Sequence, residues 1–290
     1  MMSADHFDLI RPERRAEVRR LLSLTPAEVR QRAAERLIVC SDLEALHRRM
    51  AEDIAAEIGA AQGHSLRLIL PVGPTGAYPY LVKLIAARQL SLAHCWFFFM
   101  DEYCDSEGRV LPPEHPLSFR GTVERLFLAP LRAQGCQIAP ERIIFPDQEN
   151  YQRLPQLIEA LGGIQTCYGG IGIHGHLAFN EPEIGVAERS VRRVRLNAFT
   201  ITMNAIRANI GGNIACFPRE AYTLGMREIL SAQRIRLYCR NDVGLDWANT
   251  VLRLALFGEA GDDFPVTHIR GHDYTIITDE ATLASPKYLI

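Results

Sequence analysis

Three short stretches of this chain hold side chains and backbone suited to handling a substrate. Asp101 and Glu102 follow directly on the apolar run HCWFFFM (94–100). A partly desolvated carboxylate at the end of a buried strand faces the ligand edge of a sheet and can serve as a general base. A helix cap or a solvated turn would use the same residues, and the sequence leaves both readings open. The stretch Gly169-Gly170-Ile171-Gly172-Ile173-His174-Gly175-His176-Leu177-Ala178-Phe179-Asn180-Glu181-Pro182 places two histidines and a carboxylate within eight residues. Glycines such as Gly172 let backbone approach a ligand closely. Histidine passes a proton either way near neutrality, and Glu181 is expected to orient His176 and set its tautomer. His174 and His176 at i, i+2 with an acid nearby also suit zinc. No second cluster completes such a site, so no metal is expected. The third stretch is Leu70-Pro71-Val72-Gly73-Pro74-Thr75-Gly76-Ala77, followed by a helix with Pro79 near its start. A strand, a Gly/Thr turn and a helix N-terminus together can cradle phosphate, with Gly73, Pro74, Thr75 and Gly76 as the turn. An ordinary βα turn reads the same way, and the Gly-Lys-Ser/Thr of a Walker loop is missing.

The elements that must position these residues are legible as alternating runs. Strands are expected at 66–72, 94–100, 166–173, 221–226, 234–239 and 273–278, with helices such as YPYLVKLIAARQL and TVERLFLAPL between them. Continuous apolar strands with helices between them predict an α/β fold: a doubly wound, mostly parallel, Rossmann-like sheet with helices on both faces. Ligands of such sheets sit at the carboxyl ends of the strands. Upstream, Thr25-Pro26 with Glu28 reads as a helix start, and Ser41 as the cap of a helix in which Leu43, Leu46, Met50, Ile54 and Ile58 recur at helical spacing. Residues 183–220 are polar, basic and poorly periodic, and are expected to form a lid on a single domain. Residues 1–35 are expected to be a helical extension to a domain of residues 36–290.

Composition narrows the field. With 290 residues, 48% hydrophobic and 23% charged, the chain can bury a full core. A net charge of -2 offers no basic field for nucleic acid. The apolar stretch Cys95 to Met100 is too short to cross a bilayer, so no membrane partner is expected. Residues 1–22 carry no apolar h-region, and the seven cysteines are odd in number with no C-x-x-C pair. A reducing, cytoplasmic location is therefore expected.

Taken together, LPVGPTGA, MDEY and GGIGIHGHLAFNEP, in that order, resemble the glucosamine-6-phosphate deaminase/isomerase family. His115-Pro116-Leu117-Ser118-Phe119, Thr223-Leu224-Gly225-Met226 and Ile276-Ile277-Thr278-Asp279-Glu280 extend the resemblance to roughly residues 36–285. It implies that Asp101 shuttles a proton between C2 and C1 of an opened sugar, that His176 helps to open the ring, and that Glu181 is its carboxylate partner. It also implies that Gly73–Gly76 cradles phosphate and that Arg207 grips it. The family reaction is aldose-to-ketose isomerisation with loss of ammonia, without metal or organic cofactor. A homo-oligomer is expected.

The chain departs from the family pattern in three places. His174 stands where the family has an aspartate, which removes a negative charge beside His176 and should lower its pKa. Pro74 lacks the N–H of the family's second glycine. The family's phosphate lysine has no counterpart in Asn241-Asp242-Val243-Gly244-Leu245-Asp246-Trp247-Ala248, which leaves Arg207, Arg219 and Arg227 as replacement cations. A sugar-phosphate lactonase and a non-catalytic sugar-phosphate-binding protein are the alternatives. The Phe179-Asn180-Glu181-Pro182 sequence argues against the lactonase.

Overall fold

Side chains alternate between the two faces of a strand, and here both faces are apolar. Ile69, Phe98, Cys167, Leu237 and Ile276 enter one core, while Leu68, Leu70, Phe97, Phe99, Tyr168, Tyr238 and Ile277 enter the other. A computed structural model describes residues 6–61, 63–241 and 245–290. Its strands are β1 (Leu37–Cys40), β2 (Leu66–Leu70), β3 (Cys95–Phe99), β4 (Asp101–Cys104), β5 (Ile143–Ile144), β6 (Thr166–Gly170), β7 (Arg192–Arg195), β8 (Glu220–Thr223), β9 (Arg234–Tyr238) and β10 (Tyr274–Asp279). Among the described residues, seven of them form one sheet in the order β1-β10-β9-β6-β2-β3-β5, and every neighbouring pair is parallel. The helices Leu43–Ala61 and Tyr78–Ala87 cover one face, and Ala248–Phe257 and Met226–Leu230 help to cover the other. This is the expected doubly wound α/β fold.

The strand order reverses between β2 and β6. The chain leaves β2 toward β3 on one side and β6 toward β9 on the other. Loops that diverge at such a point leave a crevice outside the strand ends. Here those loops are Pro71–Thr75 and Ile171–His176.

Beyond that edge, β4, β8 and β7 form a three-stranded antiparallel sheet in the order β4-β8-β7. This corrects two expectations. The strand expected at 221–226 is β8, and it lies in the small sheet rather than the parallel one. Residues 183–220, expected as an aperiodic lid, contain β7 and the helix Ala198–Arg207. Their periodicity is hidden because β7 carries arginines on both faces, and carboxylates rather than apolar packing answer them. Arg192 pairs with Glu183 at 3.0 Å, and Arg193 pairs with Glu220. β1, β4, β5 and β7, none longer than four residues, escaped the apolar-run reading.

Helix starts follow side-chain chemistry. Thr25 and Glu28 form the expected capping box on Pro26–Ala33. At the next helix, Asp42 rather than Ser41 is the cap. Its Oδ1 accepts the Ala45 N–H at 2.8 Å, and the Ser41 hydroxyl donates to its other oxygen.

The helices Pro12–Leu22 and Pro26–Ala33 pack on Ala248–Phe257, burying Leu21, Leu24, Val29 and Ala33. Arg14, 1% exposed, donates to both carboxylate oxygens of Asp263 at 2.8 and 2.9 Å. Arg14 also reaches Glu17, but the bidentate contact with Asp263 is the fully buried one, and removing Asp263 leaves much of the guanidinium's charge uncompensated. Asp263→Ala should therefore lower stability by about 3–5 kcal/mol in denaturant titration, and replacing both residues with apolar ones should recover most of it.

Candidate active site

The crevice at the strand reversal is a cavity of about 750 Å³. Its walls include Gly73, Pro74 and Thr75 after β2, Asp101 and Tyr103 on β4, and Gly172 and His176 after β6. Asn204 and Arg207 come from the helix Ala198–Arg207, and Arg125 and Arg240 also line the cavity. The small sheet and its helix thus close over the end of the large sheet.

Asp101 and Glu102 are adjacent on a strand, so their side chains diverge. Glu102 is 1% exposed, and it accepts the backbone N–H groups of Tyr103, Phe119 and Arg120 at 3.0, 2.9 and 2.7 Å and the Ser118 hydroxyl at 3.1 Å. It is therefore an anchor for the His115–Phe119 loop and for the start of the helix Phe119–Val123. Asp101 lines the cavity instead. Burial, and then the charge of Glu102, raise its pKa well above the usual carboxylate range. A carboxyl whose charged form is disfavoured in this way takes up a proton more readily than an exposed one, which suits proton transfer in both directions.

His176 lies with its ring against the bare Cα of Gly172, where any Cβ would stand 2.0 Å or less from the imidazole Nε2 and Cε1. Gly172 was expected to admit a ligand, and what it accommodates first is this ring. Burial first, then the neighbouring His174 and Arg207, hold the His176 pKa well below its ordinary value, so the imidazole is neutral. His176 Nδ1 is 3.1 Å from His174 Nδ1, and His174 Nε2 is 2.7 Å from Asn197 Nδ2. Glu181 was expected to orient His176 directly. Its Oε2 instead accepts the Asn197 backbone N–H at 2.8 Å, while its buried Oε1 has no hydrogen-bond partner. The connection from Glu181 to His176 thus runs through Asn197 and His174. Burial outweighs the Thr200 and Asn197 hydrogen bonds and pushes the Glu181 pKa up to about 7.

The Leu177–Asn180 loop is fixed by polar groups. Asn180 Nδ2 donates to the carbonyls of Leu177 and Leu224, its Oδ1 accepts from Arg192, and the Phe179 N–H donates to Thr223 Oγ1. Asn180 and Thr223 therefore hold the loop that carries the histidines.

The phosphate-loop expectation changes in detail. Pro74 has no N–H, and the Thr75 N–H is used on the Gly73 carbonyl at 2.9 Å. Gly76 is bare because a Cβ there would stand 2.3 Å from the His47 ring, and it does not line the cavity. The positive charge comes from arginines. Arg207 lies over the Trp247 ring at 5.2 Å, and Arg125 and Arg240 join it on the wall. Arg227 instead reaches Glu228 and Ser190, and neither it nor Arg219 lines the cavity. Arg240 was missed, although its place two residues past β9, at the ligand edge, marks it. Asp242, Val243 and Gly244 lie outside the described residues. Among the described residues, no group of three or more His, Cys, Asp or Glu side chains is placed to hold a metal, and no helix is long and apolar enough to cross a membrane.

Because the Glu181 pKa is raised on folding, the folded state binds this proton more tightly than the unfolded chain. Below the unfolded value, about 4.3, burial of the neutral acid adds no ionisation cost. The cost grows through that window and is complete above the folded value of about 7. Glu181→Gln should remove the dependence. Relative to wild type, the variant should gain about 3 kcal/mol of unfolding free energy between pH 4 and pH 8, measured by denaturant titration at each pH.

No protein-family profile matches the chain. Curated relatives do. A glucosamine-6-phosphate deaminase of Phocaeicola vulgatus is 29% identical over 271 residues, covering 87% of this chain and 96% of the relative. Another, of Actinobacillus pleuropneumoniae serotype 3, is 31% identical over 214 residues, covering 70% and 75%. Among solved structures, a monomeric glucosamine-6-phosphate deaminase superposes with a TM-score of 0.73 at 27% identity, covering 85% of this chain and 98% of that one. The 6-phosphogluconolactonase of Leishmania guyanensis gives 0.61 at 16% identity, with 86% and 97% covered, and shares the fold alone. With more than two thirds of a relative's length matched above 30% identity, this chain belongs to the glucosamine-6-phosphate deaminase family.

Proposed function

We propose that this enzyme converts glucosamine 6-phosphate, or a closely related amino-sugar phosphate, to the ketose phosphate with release of ammonia. The observation that carries this reading is a protonatable Asp101 and a neutral His176 lining one cavity with three arginines, Arg125, Arg207 and Arg240. The names of the relatives support it.

In this reading the arginines hold the phosphate, since guanidinium matches phosphate oxygens by paired, charge-assisted hydrogen bonds. They substitute for donors that the Pro74 turn lacks. His176 meets the sugar oxygens as the ring opens. Asp101 takes the proton from C2 and returns it at C1, for which it must first ionise. The substrate's ammonium group, brought alongside, favours that ionisation. With the aldehyde oxygen at C1 gaining the proton that the amine nitrogen gives up, the transfer leaves an imine at C2. One water adds to that carbon, and ammonia leaves with the C2–N bond.

The test is ammonia release from glucosamine 6-phosphate, galactosamine 6-phosphate and unphosphorylated glucosamine. Asp101→Asn should lower kcat about 100-fold or more, the range for loss of a general acid–base group. Ammonia release that survives this change would remove Asp101 from the role. Hydrolysis of a sugar-phosphate lactone without ammonia would move the enzyme to the lactonase reaction. Arg240→Ala should raise KM for the phosphorylated sugar about tenfold and leave unphosphorylated glucosamine unaffected, as expected for a lost charged hydrogen bond.

A further inference from the structure

Three hydrogen bonds determine which nitrogen of His176 carries its proton. The series begins at the helix Ala198–Arg207, where Asn197 is the N-cap and its Oδ1 accepts the Thr200 backbone N–H at 3.0 Å. A backbone N–H only donates, so that end of the amide is the oxygen and the other end is the NH2 group. Turning the amide over would set NH2 against N–H and lose the cap. The NH2 nitrogen lies 2.7 Å from His174 Nε2. It has no lone pair to offer, so His174 Nε2 is the acceptor and is unprotonated. A neutral imidazole with a bare Nε2 carries its proton on Nδ1. His174 Nδ1 is 3.1 Å from His176 Nδ1, so His174 donates there and His176 accepts. The proton of His176 is then on Nε2, the nitrogen left for the cavity that the residue lines.

We infer that Thr200, Asn197 and His174 form a positioning series that locks His176 as its Nε2–H tautomer, so that this imidazole meets the ligand as a hydrogen-bond donor to an oxygen lone pair. The tautomer is a property of the free protein. Only the ligand clause rests on the cavity's being the sugar-phosphate site. A carbonyl or ring-ether oxygen fits this nitrogen, because both accept and neither donates. A neutral imidazole presented this way polarises such an oxygen through its N–H without first being protonated, a useful property in a buried site where the cation is disfavoured.

The experiment is a long-range ¹H–¹⁵N correlation spectrum of the ¹⁵N-labelled full chain without ligand, with His174→Gln and His176→Gln spectra to assign the rings. The expected result is a pyrrole-type Nδ1 with a pyridine-type Nε2 for His174, and the reverse for His176. Asn197→Asp keeps a helix cap and puts an acceptor where the NH2 was, so both rings should exchange their pyrrole-type and pyridine-type nitrogens. Adding fructose 6-phosphate to wild type should move the His176 Nε2–H proton downfield. A wild-type His176 with its proton on Nδ1, an average of both tautomers, or an imidazolium would overturn the inference. So would an Asn197→Asp spectrum unchanged from wild type. A saturating ligand that leaves the Nε2–H resonance in place would overturn the donor role. The ligand-free spectra need no turnover, so an enzyme that released no ammonia would leave the tautomer result standing.

Discussion

Two neighbouring carboxylates are buried where the parallel sheet hands over to the small antiparallel one, and much of the site follows from how that burial is managed. Adjacent residues on a strand point to opposite sides. Glu102 therefore turns into protein, where four donors satisfy it, and Asp101 turns into the cavity, where it stands near the charge of its neighbour. The anchored carboxylate does two jobs. It fixes the loop and helix start at His115–Arg120, which supply part of the cavity wall. It also makes ionisation of Asp101, the member that lines the cavity, harder.

The second sheet makes this arrangement possible. Only Met100 separates the end of β3 from Asp101, so the chain passes almost directly from a parallel strand to the first rung of an antiparallel one, where Asp101 pairs with Thr223. Thr223 in turn receives the Phe179 N–H from the histidine loop. The site is therefore a joint between two sheets, with the switch-point loops below and the helix Ala198–Arg207 above.

The large sheet was legible because its central strands are continuous apolar runs bounded by turns, and Leu68, Ile69 and Leu70 show why: each has a core to enter. The sequence pattern failed where charge replaced apolar burial. β7 reads as Arg-Arg-Val-Arg, and its antiparallel pairing with β8, together with the carboxylates of Glu183 and Glu220, makes it a strand. Asp101, His174 and His176 were marked by type and spacing, and Arg207 by the family resemblance, but their connections were not. That Glu181 reaches His176 only through Asn197 and His174, that Gly76 serves His47, and that Arg240 lines the cavity all depend on contacts between elements that no local spacing encodes.

The parallel sheet also constrains the order of events during folding. β1 begins at Leu37, yet its hydrogen-bonded neighbour is β10, with Leu37 opposite Ile276, and Arg14 finds Asp263 across a gap of 249 residues. Contacts of such separation carry a large loop-closure cost and slow the search for the native topology. On a ribosome, the segment holding Arg14 and Leu37 emerges long before either partner exists. The early helices must wait with Leu21, Leu24 and Val29 uncovered. The half of the sheet that carries β2, β3 and the Pro71–Thr75 loop can assemble before the half that carries β9 and β10, and the crevice between β2 and β6 marks the seam where the two halves meet.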